Sequence, residues 1–65
     1  MIEARLQLEA EVPWQGDEFD QRVIATSASL VIAAQRVGVR DPRVYRTDMA
    51  DRGITVLTVM ARVDV

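Results

Sequence analysis

One stretch alone, Asp17 to Val37 (DEFDQRVIATSASLVIAAQRV), spaces its apolar residues at helical period, and alternating segments lie before and after it. That pattern restricts the chain to one helix laid on a small sheet. On a helical wheel Phe19, Val23, Leu30, Ala34 and Val37 share one narrow arc, with Ser27 beside it, and this is the stripe expected to face the sheet. Asp17 is the expected N-cap, with Asp20 three residues on as a short-armed capping box, and Gly38 is the expected stop. A second apolar group, Ile24, Ala28, Val31 and Ile32, points elsewhere on the cylinder. One sheet of three strands covers the first arc and does not reach the second.

From Ile2 to Val12 the alternation has no fault. Ile2, Ala4, Leu6, Leu8, Ala10 and Val12 take one face, and Glu3, Arg5, Gln7, Glu9 and Glu11 take the other. This predicts a half-buried strand with one wet face, ended by Pro13. Arg40-Asp41-Pro42 reads as a turn, and Arg43 to Met49 as a short, polar strand suited to a sheet edge. Ala50 to Gly53 is a hairpin turn. Ile54 to Val65 is the last strand, with Leu57, Val59, Ala61, Val63 and Val65 in one row. Ile54, Val56, Thr58 and Met60 occupy its other face, so its first half is apolar on both, as in a central strand. The fold expected is α+β, in the order β-α-β-β. Its three-stranded antiparallel sheet runs 1-3-2, and a right-handed crossover lays the helix on one face. Residues 1–65 form a single domain.

Length sharpens the point about the second apolar group. A chain of about 60 residues buries only about 60% of its unfolded surface, and disulfides, metals or association usually supply the rest. Cys and His are both absent while 49% of residues are hydrophobic, so association is the support that remains. Ile24, Ala28, Val31, Ile32, Ile54, Val56 and Met60 are therefore the candidate oligomer interface. No apolar run is long enough to span a bilayer and no signal-peptide pattern opens the chain, so no membrane partner and a cytoplasmic place, cellular or phage-derived, are expected. All eight basic residues are Arg, a usage that points to a GC-rich coding source.

Chemistry is harder to find. Nucleophilic catalysis of the Ser-His-Asp or Cys-His type lacks its base, no Gly-rich loop precedes the helix, and the carboxylate pairs Glu9 with Glu11 and Asp48 with Asp51 converge with nothing else. No enzyme is expected, and no metal or cofactor. Arg36, Arg40, Arg43 and Arg46 cluster in the sequence near Tyr45, a grouping that tracks phosphates in nucleic-acid binders. Asp41, Asp48 and Asp51 interrupt it and the chain carries a net charge of −2, which argues against a nucleic-acid partner. Trp14, Arg40, Arg43, Tyr45 and Arg46 stand as candidate contacts for an anion or a small ligand. For Trp14 the structural reading is preferred to ligand contact: it sits before the helix N-cap, placed to pack on Phe19 or its neighbours like a hydrophobic staple.

The helix, Val44-Tyr45-Arg46 in the second strand, and Gly53 followed by the long strand Ile54 to Val65 together resemble the dodecins. These are small flavin-storing proteins that assemble into hollow dodecamers. The resemblance implies a sheet completed by other subunits and a stored flavin. The family's stacking Trp follows the helix, where this chain reads Val39-Arg40-Asp41-Pro42-Arg43; its only Trp is Trp14. The flavin-contacting Gln of the last strand is replaced at about Leu57 or Thr58, so no binding residue carries over. The expectation is a small homo-oligomeric binding or assembly protein. A dodecin-like store and a nucleic-acid-binding accessory protein are the alternatives.

Overall fold

A computed structural model describes residues 3–64. Strand β1 spans Glu3–Pro13, helix α1 Phe19–Arg36, strand β2 Val44–Met49 and strand β3 Ile54–Asp64. The sheet order is β1-β3-β2, with β3 antiparallel to both neighbours. This is the expected β-α-β-β architecture. Ile2 and Val65, placed inward by the alternation, lie outside the described residues, as do the side chains of Ala4 and Val63.

The register explains the faces. Leu6, Leu8, Ala10 and Val12 stand across from Ala61, Val59, Leu57 and Thr55, and Val44, Arg46 and Asp48 continue the last three rows on β2. This face carries the helix, which lies more over β1 than over β2. Ala34, Val39 and Val59 are buried together, with Leu6, Leu8, Leu30, Val44 and Ala61 packed around them. On the other face Gln7 faces Met60; Glu9, Thr58 and Tyr45 form one row, and Glu11, Val56 and Thr47 the next.

Both helix ends depart from expectation. The helix begins at Phe19, its N-cap is Glu18 rather than Asp17, and no side chain caps it. Glu18 is left-handed (φ 62), a conformation that costs about 1–2 kcal/mol for a residue with a Cβ. The cause is visible in the loop before it. The Arg22 guanidinium donates to the Gln15 carbonyl at 2.9 Å and the Trp14 N–H to the Gly53 carbonyl at 2.9 Å, so the chain is held until Glu18 before it turns.

At the other end Val37, assigned to the core arc, is the C-cap and lies exposed. Gly38 at φ 101 reverses the chain; its N–H binds the Gln35 carbonyl and the Val39 N–H binds the Ala34 carbonyl, the two bonds of a Schellman motif. That motif turns Val39 inward, so Val39 fills the place expected of Val37.

Candidate functional site

Three strand residues and one loop residue build a continuous polar chain at the turn end of the sheet. The loop after β1 carries Trp14 to the start of β3, where its indole Nε1 donates to Thr55 Oγ1 at 2.8 Å. Thr55 in turn donates to Asp48 Oδ1 at 2.8 Å, and Arg46 Nε donates to the same oxygen at 3.0 Å. Arg46 also lies over the Phe19 ring, its guanidinium carbon 5.8 Å from the centroid, with Arg22 over the same ring at 5.9 Å. The network thus fastens the β1–α1 loop, the helix start, β2 and β3 to one another.

Thr55 is fully buried, and a hydroxyl there needs both a donor and an acceptor nearby. Trp14 and Asp48 are those partners. The Arg46 hydrogen bond, then the Thr55 hydrogen bond, hold the Asp48 carboxyl below its ordinary value, favouring the carboxylate. A carboxylate made less basic is a poor general base, and the Thr55 proton is already committed to it. The constellation therefore acts as a fastening between elements. Among the described residues, no group of three or more carboxylates converges as a metal site would require.

The candidate ligand contacts are spread over the molecule. Trp14 and Arg46 belong to the network above. Tyr45 alternates with Arg46 along β2 and so points to the opposite face of the sheet. Arg40 and Arg43 are exposed in the link between α1 and β2. Trp14 is tied to Thr55 by its indole N–H, a structural role, and Phe19 meets the two guanidiniums.

The candidate interface residues form two patches on opposite sides of the molecule. On the helix Ile24 is 67% exposed and Ile32 50%, Ala28 is exposed and Val31 half-buried. On the open face of the sheet Met60 is 56% exposed, with Ile54 and Val56 half-buried beside it. An open groove of about 350 Å³ runs along the β1–β3 ribbon beyond the reach of β2, lined by Arg5, Leu6, Gln7, Met60, Ala61 and Arg62.

Thr55 and Asp48 were not singled out as site residues. The available signal was Thr55 itself, a hydroxyl two residues before Leu57 in an otherwise apolar inward row, with the lone indole N–H needing an acceptor. No helix among the described residues is long and apolar enough to cross a membrane. Comparison with protein-family models, with curated proteins and with solved structures finds no match to this chain.

Proposed function

We propose that this protein is a small homo-oligomeric binding or assembly protein without catalytic activity, working through surfaces that a second subunit covers. The observation that carries the reading is surface area. The chain exposes 5060 Å², whereas a folded monomer of 7.3 kDa is expected to expose about 4,200 Å². The excess, about 900 Å², is close to the roughly 800 Å² that each partner gives to a standard interface. Shape agrees: the radius of gyration is 13.2 Å, against about 11 Å for a compact domain of this length.

The surplus is apolar where it matters. Ile24, Ile32 and Met60 are half or more exposed, each forgoing half or more of the roughly 1.5–3 kcal/mol that full burial returns. Light scattering over a range of concentrations tests the reading. The wild type is expected to run above monomer mass. Replacing Ile24 and Val31 together by Gln should lower the melting temperature and make it depend on protein concentration. A wild type that stays monomeric at every concentration overturns the proposal.

The β-α-β-β order with sheet order 1-3-2 supports a second reading, a dodecin-like ligand store. An absorbance scan of the purified protein separates the two, since a stored flavin colours the protein and assembly alone does not.

A further inference from the structure

The free edge of β1 is the longer of the two sheet edges in the described residues, and no bulge, inward-pointing charge or mid-strand proline blocks it between Leu6 and Val12. Its eleven residues pair one-to-one with β3, so no bulge interrupts it. Pro13 stands only at its end, and the row facing the helix holds no charge from Leu6 to Val12. Such an edge is a template for another strand. The other edge, β2, is six residues long, follows Pro42, and carries Arg46 and Asp48 on its helix-facing row.

The wet row of β1 says which strand fits. Over Arg5 to Glu11, whose side chains are described, it is positive at one end, Arg5, and negative at the other, Glu9 and Glu11. Glu3, before Arg5, falls across from Pro13 in an antiparallel pairing centred on Leu8 and has no charged partner there. Among the described residues neither Arg5 nor Glu9 has an ion-pair partner, and Glu11 meets only Arg52, at 3.5 Å. A parallel copy would set like charges side by side. An antiparallel copy centred on Leu8 sets Arg5 across from Glu11 and diagonal to Glu9, Gln7 across from Glu9, Leu6 across from Ala10, and Leu8 across from itself. Residues opposite one another in an antiparallel pair share a face, so apolar meets apolar and the two helices fall on the same side.

The geometry points to a two-fold β1–β1 interface that joins two sheets of this chain into one of six strands. This inference rests on the homo-oligomer reading and specifies the surface it uses. The groove beside Arg5, Leu6, Met60 and Arg62 lies along the same ribbon and would be flanked by the second copy.

Charge reversal tests it without touching the core, because Arg5 and Glu11 are both exposed. Arg5→Glu alone and Glu11→Arg alone each set like charges across both symmetric pairs. Each should weaken association about tenfold or more at low salt. Mixing the two variants makes every pair unlike again, so a heterodimer should form at close to wild-type affinity. The double variant Arg5→Glu/Glu11→Arg should recover self-association, which separates charge pairing from loss of the Arg52 contact or of folding. Sedimentation or light scattering reads all four species. A wild-type assembly that neither reversal weakens, or a mixture that restores nothing, removes the β1 interface and leaves the oligomer reading standing. A monomeric wild type removes both.

Discussion

The two ends of the sheet are built on different terms. At the turn end, three strands, the helix start and the β1–α1 loop converge, and their polar groups are paired with one another through Trp14, Thr55, Asp48 and Arg46. At the other end β2 stops opposite Val59, and β1 and β3 run on as a two-stranded ribbon from Met60 to Asp64. A two-stranded ribbon is marginal in water by itself. Here the helix C-terminus and Val39 cover one of its faces near Leu6 and Ala61, and its other face and outer edge stay open. The polar groups of the turn end are satisfied within one chain; on the proposed assembly, the ribbon end, the β1 edge and the exposed apolar faces are where a second chain would add contacts. Changes at the first should alter stability and leave assembly intact. Changes at the second should weaken assembly, and lower the melting temperature only through that loss.

The largest effect should come where the two regimes meet. Val59 is fully buried in the row that β1, β3 and β2 share, while its neighbour Met60 points to the open face. Val59→Asp buries a carboxylate without a partner, which costs several kcal/mol and is comparable to the whole stability of so small a domain. Met60→Asp meets water instead. Circular dichroism melts should show the first variant unfolded and the second folded. Equal melting of the two would mean that the faces are assigned wrongly.

A smaller loss is expected from Thr55→Val, which keeps the shape and removes the hydroxyl. The change leaves the Trp14 N–H without its acceptor and Asp48 without one of its two donors, and the loss should be about 1–2 kcal/mol. Trp14 is the only tryptophan, so its emission reports the loosening directly. Oligomer mass should not change. Dissociation of the assembly by this variant would contradict the division between the two ends.

The same division explains what could be read from the chain. Strand β1 was legible because every residue from Leu6 to Val12 obeys one local period, and strand order followed from β3 being apolar on both faces of its first half. The polar network was not, because its first link joins residues 41 apart in sequence. No local pattern records that Trp14 and Thr55 meet. The helix ends were misplaced for a related reason. Asp17 has the right chemistry for a cap, but the Gln15 carbonyl is held by Arg22, a residue one turn into the helix. Val37 fits the wheel, yet the wheel assumes a helix that Gly38 has already ended. The open edge of β1, by contrast, follows from strand order alone, and its charge sequence is plain in Arg5, Glu9 and Glu11.

The smallest expected effect is acid dependence, and it belongs to the turn end alone. Asp48 is held below its ordinary value of 3.8 by Arg46 first and Thr55 second. Between the folded value and 3.8 the unfolded chain binds more protons at this site than the folded one, so stability there rises with pH. The contribution is fully present above 3.8 and is lost as pH falls through the folded value. The Asp48 and Arg46 side chains are about half exposed, at 52% and 49%, so solvent screens the pair and the effect is modest. Asp48→Asn cannot titrate. Thermal melts of wild type and variant between pH 6 and pH 2 should therefore differ most above about pH 4 and converge below it. Salt should shrink the gap, because part of it is the exposed Arg46 pair. If the Asn variant instead loses stability with acid as steeply as wild type at these pH values, the acid sensitivity of this end lies in some group other than Asp48.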